Sequence, residues 1–333
     1  MKQTGIMTTG NMNTITAANY GEADVLKLTT AQLPSPKANE VLVRNYATDV
    51  TAADIMMRNG KPKIGRLYLG LTKPKQPVLG FDFAGEIVAI GEAVTTFAIG
   101  DKVFGGTTAL GCYAEFVCVN VNDVITVIPE NTSYQEAAPI ASSAITVLNF
   151  LKGLAQIKPN DRVLINGASG SLGTYAVQYA KYIGAEVTGV CSTANLDLVK
   201  EIGADYVIDY TKTNFTQNAK RYDIIFDTVG KRSFSECRKV LSPTGIYLSS
   251  VIGLPLVFRS LLQALFGRQK AKFSATGALP AKKRLAYLEE IAVIMTTGKL
   301  KSVIDRTYTL EELPEAHRHV ESGYKKGNVV ISI

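Results

Sequence analysis

The sequence predicts a two-part α/β chain, a small barrel of short strands joined to a doubly wound parallel sheet. Three observations predict it. Residues 12–119 read as short strands separated by Gly, Asn, Asp and Pro turns, the pattern of a small barrel. The apolar run Val163-Leu-Ile165 then passes through Gly167, Gly170 and Gly173 into a stretch with helical phase over 175–182. Beyond that stretch, apolar strands recur at 187–191, 206–208 and 223–226, the spacing of β-α-β units.

Each element has its own signal. The first dozen residues carry one lysine and many Thr, Gly and Asn, and read as a short disordered lead rather than a targeting sequence. Glu40-Val-Leu-Val-Arg44 is a clear strand, 41–54 runs from strand into a helical turn, and Arg58-Asn-Gly60 ends it. A basic, proline-punctuated loop over 61–77 follows, then strand signals over 78–91, 100–104 and 113–119. Near Tyr134 the pattern changes to a helix rich in small residues over 135–152. That change places the domain border, with 1–137 and 278–333 in one domain and 138–277 in the other. After Val251 come a long apolar segment, a possible edge strand over 272–276, helices over 280–297 and 310–321, and a terminal strand over 328–333.

Composition narrows the function classes. The 333 residues are 46% hydrophobic, ample for one or two cores. Lys plus Arg number 36 against 29 Asp plus Glu, a net charge of +7, but there is no block of five like charges and no basic stripe interleaved with aromatics. Nucleic-acid binding is therefore not expected, while attraction of an anionic cofactor or a membrane surface stays open. Four scattered cysteines, Cys112, Cys118, Cys191 and Cys237, give no disulfide framework and point to a reducing compartment, the cytoplasm. The apolar stretch 251–266 contains Pro255 and Arg259 and is too short to span a bilayer, so no transmembrane segment is expected.

The glycine turn has a chemical reading. Gly167 can turn tightly, Gly170 lets backbone approach a pyrophosphate, and Gly173 lets helix pack on strand, while amides at the helix N-terminus point at the anion. The bland alternative is a glycine-rich structural turn. Metal and hydrolase chemistry find no constellation. His317 and His319 are the only histidines and diverge by about 200° on a helix; they read as surface residues. Cys112 and Cys118 flank a strand with no histidine nearby, and Gly167-Ala-Ser-Gly-Ser171 is not a G-x-S-x-G elbow. Chemistry borne by a cofactor remains.

The order of these parts resembles the medium-chain dehydrogenase/reductase superfamily, and within it the zinc-free quinone oxidoreductases. The carriers are Gly80-Phe-Asp-Phe-Ala-Gly-Glu-Ile-Val, Gly100-Asp-Lys-Val-Phe-Gly105, Asn166-Gly-Ala-Ser-Gly-Ser-Leu-Gly-Thr174, Gly203-Ala-Asp-Tyr-Val-Ile-Asp-Tyr210 and Phe226-Asp-Thr-Val-Gly230. The resemblance implies a GroES-like β-barrel catalytic domain and a Rossmann cofactor domain. Where zinc alcohol dehydrogenases of the superfamily place metal ligands, this chain has Thr51-Ala-Ala-Asp54 and Gly80-Phe81-Asp82, so no metal is expected.

Further expectations follow from the resemblance. Gly167, Ala168, Ser169, Gly170, Ser171, Leu172 and Gly173 are expected to hold the pyrophosphate, and Val229, Val251, Ile252 and Asn328 to complete the cofactor site. Cys191 ends the second strand of this domain with no acid after it, so Ser192 and Thr193 are free to accept a 2′-phosphate. Asn195 stands where relatives carry a lysine, and Tyr210 faces the adenosine. NADPH is expected over NADH. The implied reaction moves hydride to a quinone or an α,β-unsaturated carbonyl, with Thr146 near the nicotinamide, Thr51 and Asp54 at the vacated metal positions, and Tyr68 and Tyr113 as candidate donors. Asp54 has the alternative of a local cap, and the tyrosines that of packing. The resemblance also implies a homodimer through edge strands, here 272–276. The segment 253–266 reads as core plus dimer contact, with partner or membrane contact as the alternative. A nucleotide-bound interaction or redox-sensor protein with little turnover is the competing function.

Overall fold

The computed structural model describes residues 10–251 and 268–333. Expectations for Ile252, for 253–266 and for the first nine residues fall outside the described residues. The chain divides into two units, Met1–Ser142 with Pro280–Thr296 and Ile304–Ile333, and Ser143–Leu279 with Thr297–Val303.

The first unit is mainly antiparallel. A hairpin joins β1 (Asn11–Ala17) to β2 (Leu26–Gln32). A seven-stranded sheet follows, built from β3 (Glu40–Asp49), β4 (Asp82–Ile90), β5 (Lys102–Gly106), β6 (Phe116–Asn120), β7 (Val124–Val127), β14 (Ile304–Thr309) and β15 (Asn328–Ser332). Its order is β14-β15-β3-β4-β5-β7, with β6 also pairing β3. One core gathers Val41, Val43, Phe83, Ile87, Val103, Val117 and Ile125. Another joins Ile15, Val50, Ile55, Tyr113, Leu313, Ala316 and Ile331. Fully burying each large apolar side chain contributes about 1.5–3 kcal/mol, so these cores hold the strands in register.

Helices follow their caps. The helix α1 (Ala52–Asn59) starts at Thr51 and stops at Gly60, whose φ of 62° is a left-handed C-terminal cap. Between it and β4 lies α2 (Arg66–Leu69). The predicted 135–152 helix is α3 (Tyr134–Ala137), α4 (Ile140–Leu148) and a π-helical turn at Asn149–Ala155. This run, Tyr134–Ala155, is long and apolar enough to cross a membrane by length and composition. Its apolar window is 72% buried within the protein, as in a core helix.

In the second unit six strands run parallel: β8 (Arg162–Asn166), β9 (Glu186–Cys191), β10 (Tyr206–Asp209), β11 (Tyr222–Asp227), β12 (Leu241–Ser249) and β13 (Lys270–Phe273). The order β10-β9-β8-β11-β12-β13 reverses direction between β8 and β11, which makes that point the place where such sheets bind ligands. Residues Val163, Leu164 and Ile165 of β8 are fully buried; both faces of the strand are covered, hence its unalternating sequence. The helix α5 (Ser171–Ile183) follows β8, and α6 (Leu196–Glu201) follows β9.

Two local expectations are corrected. The strand expected over 113–119 forms at Phe116–Asn120, because Tyr113 is buried in the core and its neighbour Ala114 makes only an isolated bridge to Thr14. The edge strand ends at Phe273; Ser274 and Thr276 instead accept hydrogen bonds from Asn149 Nδ2 at 2.9 and 3.1 Å.

Candidate functional site

The glycine turn is shaped as its residue types require. Gly167 has φ +82°, and its amide and that of Ala168 both donate to Val190 O at 3.0 Å. A Cβ on Gly173 would lie 2.0 Å from Gly167 O, so only glycine lets α5 close on the turn. Gly170 is the N-cap of α5, whose N-terminal amides carry the positive end of its dipole. Ser171 and Leu172 begin the helix, half-buried, and Ser171 Oγ is 2.7 Å from Ser143 Oγ.

Just beyond the end of β9, Asn195 Nδ2 donates to Ser169 Oγ (3.0 Å) and Ser192 Oγ (3.3 Å), fastening the glycine turn to the loop after β9. Its Oδ1 is buried without a partner among the described residues, an acceptor suited to a ligand hydroxyl. Thr193 Oγ1 donates to Asp209 Oδ2 at 2.5 Å, and Thr211 donates to Asp209 Oδ1 through its amide (2.9 Å) and hydroxyl (2.7 Å). The Thr193 and Thr211 hydrogen bonds hold the Asp209 carboxyl below the usual range. Lys212 Nζ lies 3.8 Å from it. The second strand itself carries no acid at its end, but an acid reaches that end from the neighbouring strand. Parallel pairing sets Asp209, last residue of β10, beside Cys191, last residue of β9.

Tyr210, Val229 and Val251 are exposed at 58%, 41% and 48%, apolar surface at the rim of this sheet. Val229 Cγ2 lies 2.5 Å from where a Gly167 Cβ would be, so Val229 flanks the turn. Asp227 was not singled out from sequence, yet it fixes this loop. It is fully buried, and its Oδ1 accepts from Asn166 Nδ2 (2.9 Å), Val229 N (3.0 Å) and Gly230 N (3.0 Å). Thr146 is half-buried on α4, in the same unit.

In the first unit Thr51, Asp54 and Tyr113 come together. Thr51 Oγ1 accepts from Asp54 N (3.3 Å) while Asp54 Oδ2 accepts from Thr51 N (2.9 Å), a capping box. Asp54 is buried, and burial outweighs its hydrogen bonds to Thr51, raising its pKa to about 6. Asp82 accepts from Ser142 N (3.1 Å) and Oγ (2.6 Å); burial raises it to about 7. Burial and the neighbouring Asp82 push Asp49 well above the carboxylate range. Tyr113 is fully buried, donates to Asp49 O at 3.3 Å, and has its pKa raised by burial and the nearby Asp54. Tyr68 belongs to α2, with its side chain outside the description, and Asn328 is buried at the start of β15.

His317 is not a surface residue. The helix α7 (Leu313–Glu321) buries Leu313, Ala316, His317 and Val320 on one face, and the His317 ring packs edge-on against Tyr113 at 5.7 Å. Burial lowers its pKa to about 3. His319, two residues on, turns out to Asp305 (Nε2 to Oδ2, 2.7 Å). Among the described residues no group of three or more His, Cys, Asp or Glu is placed to hold a metal ion.

Residues 37–130 match the family described as "Alcohol dehydrogenase GroES-like domain", and residues 202–331 the one described as "Zinc-binding dehydrogenase". Over 374 residues the chain is 31% identical to mouse "NAD(P)H oxidoreductase RTN4IP1, mitochondrial", covering 99% of this chain and 92% of that protein. The chain belongs to the medium-chain dehydrogenase/reductase superfamily, among its quinone oxidoreductase-like members. The tomato (Solanum lycopersicum) "2-methylene-furan-3-one reductase" is 29% identical over 98% of this chain and 81% of its own length. The quinone oxidoreductase structure from Coxiella burnetii superposes with a TM-score of 0.85 at 28% identity, covering 97% of this chain and all of that one (100%). This medium-chain reductase is therefore a nicotinamide-dependent oxidoreductase with a GroES-like unit and a Rossmann sheet.

Proposed function

We propose that the chain uses NADPH to reduce a quinone or an α,β-unsaturated carbonyl, without zinc. The observation that carries the reading is the turn from Gly167 to Gly173 at the switch point of the parallel sheet, completed by the unpartnered Asn195 Oδ1. When bound, the dihydronicotinamide supplies the hydride. The chain's residues bind and orient. Gly167, Ala168, Ser169, Gly170, Ser171, Leu172 and Gly173 hold the pyrophosphate. Ser192, Thr193 and Asn195 take the ribose corner, Tyr210 the adenosine, and Val229 and Val251 the apolar rim. Thr146 and Thr51 are the hydroxyls we assign to the nicotinamide side and to the acceptor oxygen, where a hydrogen bond stabilises developing charge. Tyr113, turned inward onto Asp49 O, serves packing.

NADPH is favoured by the Ser192 hydroxyl, which accepts from Asn195 and keeps its own proton to donate, and by the Lys212 ammonium, and opposed by Asp209, which takes the Thr193 hydroxyl proton. Zinc independence is supported by Thr51 and Phe81, whose side chains are not zinc ligands. The acceptor class is supported by the names of the relatives, one a quinone oxidoreductase and one an enone reductase. We further assign a cofactor domain at 138–277 and a catalytic domain at 1–137 with 278–333, a homodimer through the outer edge of β13, and a cytoplasmic setting in keeping with four free cysteines.

The test is oxidation of NADPH and NADH by purified, metal-analysed protein against a panel of water-soluble quinones and enones. Acceptor-dependent loss of nicotinamide absorbance in zinc-free protein is expected. Tight nucleotide binding with no turnover on any acceptor would instead make the chain a nucleotide-bound sensor.

A further inference from the structure

Apart from the candidate donor Tyr68, the loop between α1 and β4 takes no part in the reading above. Residues 60–77 contain five cations, Lys61, Lys63, Arg66, Lys73 and Lys75, and no Asp or Glu. Arg66 turns inward, its guanidinium 4.4 Å from the Tyr20 ring centroid and its Nε donating to Gly60 O at 3.0 Å. The four lysines are exposed, and none makes an ion pair among the described residues. Between them Leu67 and Leu71 stand 63% and 68% exposed.

The loop is anchored rather than loose. Tyr20 Oη donates to Gly70 O (2.7 Å), Gly70 N to Arg66 O (2.9 Å), and Lys75 N to Leu69 O (2.7 Å). Gly70 is buried and Leu69 half-buried, so these bonds pull the middle of the loop inward and leave Leu67 and Leu71 outside. Met56 on α1, 48% exposed, accepts from Lys61 N at 3.2 Å and extends the apolar surface. The acids on the segment that tethers the loop, Glu22 and Asp24, are answered by Arg58 and Arg318 and do not neutralise the lysines.

We propose that this loop docks the protein onto an anionic lipid surface, with Leu67 and Leu71 entering the boundary between headgroups and acyl chains and Lys61, Lys63, Lys73 and Lys75 facing lipid phosphates. Charge complementarity chooses the occupant. A polyanion alone would leave the leucines unused, whereas a bilayer interface accepts an apolar tip ringed by cations. The purpose of such docking rests on the proposed acceptor, since apolar quinones and enones partition into bilayers; the docking itself does not depend on turnover.

The experiment is co-sedimentation of the full chain with phosphatidylcholine vesicles, with and without phosphatidylserine. Binding to the anionic vesicles only, weakening as salt rises, is expected. Lys73→Glu/Lys75→Glu should reduce it about thirtyfold or more, given about 1 kcal/mol per lysine at such a surface, and Leu67→Ser/Leu71→Ser about tenfold or more. A thermal melt of each variant confirms folding, and oxidation of NADPH by a water-soluble quinone without vesicles tests the enzymatic reading separately. Absence of binding to anionic vesicles, or equal binding by wild type and both variants, overturns the proposal. So does binding that the lysine variant loses and the leucine variant keeps, which marks a polyanion site.

Discussion

Under the proposed cofactor reading, Asp209 is the residue on which the balance between NADPH and NADH turns. Hydrogen bonds from Thr193 and Thr211 keep its carboxyl ionised, so in the proposed NADPH reading it would repel the 2′-phosphate that Lys212 would attract. Replacing it by Asn keeps the size and one acceptor oxygen while removing the charge. For Asp209→Asn we expect KM for NADPH to fall about three- to tenfold with KM for NADH nearly unchanged; steady-state kinetics with both cofactors would show it. An unchanged ratio would mean that the carboxylate points away from the phosphate. Asp209 stands in plain view in the motif ending Val-Ile-Asp-Tyr210. Its place was not legible, because the neighbour that matters is set by strand register and not by chain distance. Asp227 was missed for a similar reason: its partners Asn166 and Tyr247 belong to other strands.

Elements were legible where a short-range pattern dictates them. The apolar strands of the parallel sheet, the glycine turn and the stop at Gly60 all follow from local sequence, since burial on both faces and positive φ each demand particular residue types. Burial of His317 was not, because an amphipathic stripe of Leu313, Ala316 and Val320 carries the imidazole into the core whatever its polarity. The turn itself yields a contrast between two glycines. A Cβ on Gly173 would stand 2.0 Å from Gly167 O, whereas one on Gly170 would meet the same oxygen at 3.4 Å. Gly173→Val should therefore lower the melting temperature and abolish NADPH binding together. Gly170→Ala should leave the melt within about a degree and weaken binding tenfold or more, since in the proposed reading its Cβ would intrude only on the pyrophosphate. Calorimetric titration beside a thermal melt separates the two roles, and equal losses of stability in both variants would refute the distinction.

On the scale of the whole molecule, the buried charges of the first unit fix how stability varies with pH. Unfolded carboxyls titrate near 3.9, but in the fold Asp54 titrates at about 6 and Asp82 at about 7, with Asp49 also raised. Between these limits the native state holds protons that the unfolded chain has lost, so stability is greatest below about pH 4 for these groups and falls as pH rises through 6 and 7. His317 acts oppositely. Its pKa of about 3 leaves it neutral in the fold while the unfolded imidazole gains a proton below about 6.5, so its contribution is lost as pH falls through that window. From pH 5 to 7 the carboxyls outnumber the histidine, and the melting temperature of the first unit should decline. Asp82→Asn should flatten that decline, because its amide keeps an acceptor for Ser142 without a charge to bury. Removing the opposing group with His317→Phe should steepen it. Two units unfold without obligatory two-state behaviour, so the melt is best followed by hydrogen exchange of β3 and β4 amides. A profile that rises from pH 5 to 7 in wild type, or one that Asp82→Asn leaves unaltered, would show that these carboxyls are ionised in the fold and compensated by groups such as the buried Lys325, whose own pKa burial lowers to about 8.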